Sequence, residues 1–474
     1  MPPLNLFVLI LFTLLLAWLI PVRWRGWAIL VGSVLAAYWV QPAIPIRNLD
    51  FWLPTLSIAL TIFTWTVTGA KTRQSLWGNR FAFLVIFAMI LLVAALRYLG
   101  PVCCLTPTRP PQLVQVLVAL GVVAGLAFLI SNTRSRRYLS YLMIFVIIAL
   151  FVILKSGWLA QQTSAGLRGL MGQDSALAST LDLRWLGFSF LAFRLLHVLR
   201  DSQTGRLPQF SLDEFVSYAL FYPSYPSGPI DRSQRFIQQD LRSLERLTAS
   251  QFLTGSQRVV IGLFKKFVLA DSLALIALSP QNASQTSSTL WIWVLLYAYG
   301  LRLYFDFSGY TDIAIGLGKY LSIQLPENFA SPYTKVNLTA FWNSWHITLA
   351  QWFRAYVFNP LTRALRSQPD RFPAWLIVLI GQLITMLLIG LWHGITWNFA
   401  VWGLWHAVGL FIHNRWSGWI RPRYPDASQH KNLHKILTVG GWFLTFQYVT
   451  LGWVWFALPS IPSSLAALQK LFGL

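Results

Sequence analysis

The sequence predicts an all-α polytopic membrane protein. Only 11% of its 474 residues are charged while 56% are hydrophobic, against roughly 25% charged in a soluble domain. Several apolar runs reach the ~20 residues that carry a helix across about 30 Å of hydrocarbon. Basic residues alternate in density between those runs, as expected when every second loop faces the cytoplasm.

The apolar segments run approximately over 4–20, 26–40, 51–68, 81–99, 112–130 and 138–154, with a more mixed one at 183–199. The first lacks a basic leader and a small-residue cleavage site, which predicts a retained helix. Loops one, three and five hold Arg23 and Arg25, then Lys71, Arg73 and Arg80, then Arg134, Arg136 and Arg137. Loops two and four hold mainly Arg47 with Asp50, and Arg109. That rhythm places the N-terminus outside and residues 200–258 in the cytoplasm. Residues 156–182, rich in Gly, Gln, Ser and Thr, read as an external loop.

Lys and Arg outnumber Asp and Glu by 37 to 15, a net charge of +22. The positive-inside rule and anionic headgroups account for the excess. The basic residues are scattered over loops with no groove-reading module, which argues against nucleic acid. A basic cytoplasmic face also attracts acidic soluble partners. The two cysteines, the vicinal pair Cys103-Cys104, have no zinc or CxxC spacing and indicate no compartment.

Residues 200–258 mix charge with aromatics, and three prolines within residues 223–229 forbid a continuous helix there. Such a stretch is either an interfacial loop or a re-entrant turn lining a cavity. Residues 259–279 are apolar but interrupted by Lys265-Lys266 and Asp271; the lysines are expected at the cytoplasmic interface. The apolar run 290–305 leads into Asp306-Phe307-Ser308-Gly309-Tyr310-Thr311-Asp312. Asp306 and Asp312 need partners in apolar surroundings, and Arg302 and Lys319 are nearest in sequence. A buried network that fixes helix packing is the simpler reading of these carboxylates.

Over 339–358, Trp342, Trp345, Leu349, Trp352 and Tyr356 recur at three-and-four spacing, predicting a helix with an aromatic face. Asn343, His346, Ala350 and Arg354 form a second, polar face. Asn337 or Thr339 caps its start and Pro360 ends it. A spanning helix over 374–390 leads to Gly390-Leu391-Trp392-His393-Gly394, where flanking glycines allow a helix break and close approach of a ligand. His406 and His413 share a face of the next helix, 396–413. Lys431, His434 and Lys435 fall in a polar loop with His430, and 436–458 is the last span. His406 and His413 read as structural, and His197 as interfacial.

His346 and His393 are the candidates for chemistry, because a titratable side chain in apolar sequence is costly to place. Imidazole, with an ordinary pKa near 6.5, takes and returns a proton at neutral pH. No HxxxH or cysteine partner suggests zinc, so no metal is expected, and no GxSxG elbow suggests a serine hydrolase. Proton-coupled or lipid transport, and group transfer to a hydroxyl, both remain open at this level.

The ordered set Ser227-Gly228-Pro229-Ile230-Asp231-Arg232, Gly262-Leu263-Phe264-Lys265-Lys266, Asp306 to Gly316, Phe341-Trp342-Asn343 to Phe353-Arg354, and Trp392-His393-Gly394 resembles the membrane-bound O-acyltransferases. It is most similar to the bacterial branch that modifies teichoic acids and alginate. The resemblance covers about residues 185–455. It implies a ring of roughly 11 or more helices, some re-entrant or interfacial, around a central tunnel. It divides the chain into N-terminal transmembrane helices, 1–180, and a catalytic membrane core, 181–474.

The resemblance further implies a cytoplasmic thioester donor, carried by a phosphopantetheine carrier protein or by coenzyme A, with no tightly bound cofactor. The acceptor is a hydroxyl of an envelope glycan on the other face, reached directly or through a partner acyltransferase; a lipid or protein acceptor is the alternative. His393 matches the catalytic histidine, and His346 a second functional one, helped by Asn343. Arg354, Trp392, Trp345, Asp306, Asp312 and His406 are the accompanying candidates for substrate binding or tunnel lining. Ser344 and Ala355 depart from the usual basic and acidic residues, so the resemblance carries the chemistry and not the identity of donor and acceptor.

Overall fold

In the computed structural model, residues 3–69, 76–100, 105–133, 135–367, 371–423 and 431–474 are described. Cys103, Cys104, Lys71, Arg73, Arg134 and His430 lie outside them. Among the described residues all regular structure is helical. By length and composition, five helices can cross a membrane: Leu49–Thr68, Trp77–Tyr98, Leu113–Asn132, Arg136–Lys155 and Ala374–His393. A shorter apolar helix spans Pro3–Leu19. The protein is an all-α polytopic membrane protein.

The chain forms two compact units, one of residues 1–259 with 313–326, the other of residues 260–312 with 327–474. In the first, the helix Leu49–Thr68 is central: 83% of its apolar window is buried, against 17% for Leu113–Asn132 and Arg136–Lys155. The outer two expose Leu117, Val118, Phe128, Leu142 and Phe145, a surface suited to lipid and not to water. Thr55, Ser57, Thr61, Thr66 and Thr68 inside the central helix return their hydroxyls to carbonyls four residues back, as Thr61 does to Ser57 at 2.8 Å. This satisfies polar groups that apolar surroundings would otherwise penalise.

The proline-rich stretch around residues 221–231 is buried inside this unit, neither a surface loop nor helical. Arg194 makes that burial possible. Its guanidinium donates to the carbonyl oxygens of Tyr218, Ala219 and Ser224 at 2.9–3.1 Å and to Ser224 Oγ at 2.6 Å, so the open C-terminal end of the helix Leu212–Ala219 and the non-helical turn after it are satisfied without water. His197 is buried beside it, with Nδ1 3.2 Å from Phe193 O. It is a core residue and not the interfacial one its flanking arginines suggest.

The expected external loop 156–182 instead contains the helix Gly157–Leu170. The segment is tied down at Asp182, which accepts hydrogen bonds from Ser164 Oγ (2.7 Å), Arg168 Nε (2.9 Å) and Ser179 N–H (3.1 Å).

In the second unit, Ala374–His393 and Trp397–Arg423 form a tight antiparallel hairpin. A side-chain carbon at Gly403 would sit 2.5 Å from the Met386 carbonyl oxygen, and one at Gly390 would overlap the Phe399 carbonyl. Backbones meet there only because both positions lack Cβ. A Gly394 side chain would likewise strike the Phe399 ring at 2.8 Å. These glycines therefore serve helix packing at the hairpin. The following helix, Lys431–Ala457, begins earlier than the predicted span and takes residues 431–435 out of the expected loop.

Candidate active site

The predicted helix 339–358 is two helices. Leu338–Trp342, capped by Asn337 Oδ1 accepting from Ala340 N–H at 2.8 Å, stops at Asn343. Ile347–Phe353 restarts after His346, whose backbone is left-handed (φ 43°, ψ 53°). The continuing aromatic pattern conceals the break, because Phe341 and Trp345 still stack at 5.7 Å across it. Pro360 does not end the element either: it occupies the first turn of Asn359–Arg366, where the missing N–H costs nothing.

A non-glycine residue in the left-handed region costs roughly 1–2 kcal/mol. It persists where the surroundings enforce it, often at functional positions. At His346 the enforcement comes from Asn328. Its main-chain carbonyl accepts from Ile347 N–H at 2.9 Å. Its side-chain Oδ1 accepts from Thr348 N–H at 3.2 Å and from Thr348 Oγ1 at 2.9 Å, and lies 3.1 Å from His346 Nδ1. Asn328 is completely buried and His346 is 3% exposed. No hydrogen-bond partner for His346 Nε2 occurs among the described residues. The imidazole is held edge-on by Phe307, 4.7 Å between ring centres.

His393 ends its helix at the hairpin turn and is half-buried. Its ring contacts Trp392 at 4.5 Å, Phe456 at 4.7 Å, Trp402 at 5.5 Å and Phe399 at 5.8 Å. Trp392 is also 5.9 Å from His346, so one indole touches both imidazoles. The sequence places these histidines 47 positions apart; the fold brings both rings to one side chain, Trp392.

His406 sits deeper. It is fully buried between Trp342 (5.1 Å) and Trp402 (5.0 Å), and neither ring nitrogen has a hydrogen-bond partner among the described residues. Trp345 is buried in an aromatic cluster, stacked on Phe341, edge-on to Phe329 and tilted against Trp453. Asn343 and Arg354 come together as their spacing suggested, with Arg354 Nη2 donating to Asn343 Oδ1 at 2.6 Å. Both are exposed, and no contact of either with His346 or His393 is among those described.

Asp306 and Asp312 pair with neither of the basic residues nearest in sequence. Lys266 Nζ donates to Asp306 Oδ1 at 2.5 Å and Lys265 Nζ to Asp312 Oδ2 at 2.7 Å. Gly309 lets the two segments approach: a Cβ there would meet the Gly262 carbonyl at 2.8 Å and Lys266 N at 2.9 Å. The carboxylates thus fasten the helix Thr289–Tyr320 to residues 262–266, which places Phe307 against His346. The lysines expected at the interface are the counter-ions of this clamp.

Asn328 escaped the sequence reading because nothing local distinguishes an amide 18 residues before a histidine. The available signal was an isolated asparagine in the short non-periodic run Pro326-Glu327-Asn328-Phe329, where side chain–backbone hydrogen bonds are common.

Residues 142–452, which include both histidines, match the membrane-bound O-acyltransferase family. The chain is 36% identical over 269 residues to a peptidoglycan O-acetyltransferase of Helicobacter pylori, covering 56% of this chain and 48% of that protein. It is 30% identical over 291 residues to a teichoic acid D-alanyltransferase of Streptococcus thermophilus, covering 60% and 66% respectively. A probable alginate O-acetylase AlgI of Pseudomonas aeruginosa is 32% identical over 291 residues, 61% of this chain and 51% of the relative. The chain thus spans about half to two thirds of the length of these relatives. With two thirds of its own length inside the family match, the chain belongs to the membrane-bound O-acyltransferase family.

Proposed function

We propose that this protein is an acyltransferase that moves an acetyl- or D-alanyl-type group from a cytoplasmic thioester to a hydroxyl of an extracytoplasmic cell-envelope polymer. The observation that carries the proposal is the pair of imidazoles that both contact the ring of Trp392 in a largely aromatic setting. The relatives named for O-acetylation of peptidoglycan and D-alanylation of teichoic acid supply the acyl and acceptor classes.

His393 is the general base. It takes the hydroxyl proton as the acceptor oxygen attacks the thioester carbonyl carbon; the carbon–sulfur bond breaks, and the departing thiolate recovers the proton from the imidazolium. General-base help contributes about 10²–10⁴ in rate. His346 is the second functional imidazole, either orienting the acceptor or donating to the developing oxyanion. A donor of the latter kind is worth about 10²–10³.

The donor is a phosphopantetheine thioester on an acidic carrier protein or an acyl-CoA, attracted by the basic cytoplasmic surface. The acceptor is reached directly or through a partner acyltransferase. The protein resides in the plasma or inner membrane with its N-terminus outside, a reading that the distribution of basic loops supports.

Replacing His393 with alanine and following acylation of isolated envelope polymer tests the reading. Transfer should fall at least 10²-fold with membrane levels of the protein unchanged; undiminished transfer defeats the base assignment.

A further inference from the structure

Of the two roles open to His346, the hydrogen bonds at its other nitrogen select one. Thr348 N–H can only donate, and it points at Asn328 Oδ1 (3.2 Å). The orientation of the Asn328 amide is thereby fixed with its oxygen toward His346. An amide oxygen carries no hydrogen, so the 3.1 Å contact with His346 Nδ1 requires the imidazole to donate there. A neutral imidazole protonated at Nδ1 has a bare lone pair at Nε2, and Nε2, like the Asn328 Nδ2, is a buried atom with no partner among the described residues.

We propose that Asn328 is a positioning residue that locks His346 in the Nδ1–H tautomer, so that Nε2 accepts a hydrogen bond from an O–H or N–H of the acyl acceptor and does not serve the oxyanion. The same amide side chain and its carbonyl hold the left-handed turn at His346 by capping Ile347 and Thr348. Ring direction and tautomer therefore have one source. The proposal rests on the reading above that His346 meets substrate.

Two measurements separate that reading from this inference. The first uses the full-length protein in nanodiscs with ¹⁵N-labelled histidine, where nitrogen resonances distinguish Nδ1–H from Nε2–H; H346Q identifies the signal. His346 should show Nδ1 protonated and Nε2 bare, retained in N328D, which keeps an acceptor oxygen, and lost in N328L. An Nε2–H signal in the unaltered protein overturns the inference whatever the activity.

The second measurement is acyl transfer by variants present at normal levels and monodisperse in detergent. Loss of a group that orients a functional imidazole typically costs about 10–100-fold. N328L should lose that much while N328D recovers most of it. Because Asn328 acts through His346, N328L combined with H346A should be no worse than H346A alone. Multiplying losses overturn the positioning role. Full activity in H346A, with the tautomer as stated, overturns the reading of His346 as a substrate residue and with it the role of Asn328.

Discussion

The carbonyl oxygen of Phe399 lies directly against the α-carbon of Gly390, in the space that any larger residue would fill with its Cβ. This contact, one turn before His393, sets how closely the hairpin helices approach and therefore where the imidazole stands between Trp402 and Phe456. Crowding a packed interface costs about 1–3 kcal/mol, and here the obstacle is backbone, which cannot rotate away. Gly390→Ala should lower the thermal midpoint in detergent and reduce transfer although it removes no chemical group. A variant with unchanged midpoint and activity would show that the hairpin is not held at that distance.

The two lysine–aspartate pairs differ in burial, and their worth should differ accordingly. The Asp306 side chain is 51% exposed, that of Asp312 only 8%. An exposed ion pair contributes about 0–1 kcal/mol, whereas breaking a fully buried one costs about 3–5 kcal/mol. Asp306→Asn should cost less than Asp312→Asn yet remain measurable, since it leaves the Lys266 ammonium, 17% exposed, without its carboxylate. Asp312→Asn should fall between the two figures, since Lys265 stays partly solvated. Equal losses for both variants would contradict the burial argument.

Spanning helices were readable from the sequence because length and apolarity are one-dimensional signals, and the ends of Leu49–Thr68 and Leu113–Asn132 differ from expectation by only one or two residues. The break at His346 was not readable, since the aromatic side chains that mark a helical face go on packing across it. The partners of Asp306 and Asp312 were hidden for another reason. The lysines that pair with them are 40 and 47 residues away, and nothing in a sequence window favours them over Arg302 or Lys319. In the candidate site the two histidines could be named, whereas their shared contact with the Trp392 indole and the asparagine behind one of them required the fold.

Asp182 gives a pH dependence whose sign follows from its surroundings. Burial pushes its carboxyl up, but hydrogen bonds from Ser164, Arg168 and the Ser179 N–H, with the Arg168 charge, outweigh burial and hold it below the usual range. A carboxylate with a lowered folded-state pKa contributes stability that is fully present above its unfolded value, about 3.9. That contribution is lost as the pH falls through the lowered folded value. Asp182→Asn should therefore lower the thermal midpoint at pH 7, and the gap to the unaltered protein should close on acidification below about pH 4. A gap that stays constant from pH 7 to pH 3 would mean that the ionised carboxylate is not what stabilises residues 156–182.

His406 separates a chemical histidine from a merely buried one. It shares Trp402 with His393 and is more deeply enclosed, yet among the described residues no hydrogen-bond partner meets either nitrogen to fix a tautomer. An unpaired buried polar group costs about 1–3 kcal/mol. Phenylalanine, which keeps a planar ring against Trp342 and Trp402, removes that cost at the expense of a modest increase in volume. His406→Phe should therefore leave stability unchanged or slightly raised and keep transfer within about tenfold, while His393→Ala loses at least 10²-fold. Comparable losses in the two variants, at equal membrane levels, would mean that the buried imidazole takes part in proton movement and that catalysis does not centre on His393 alone.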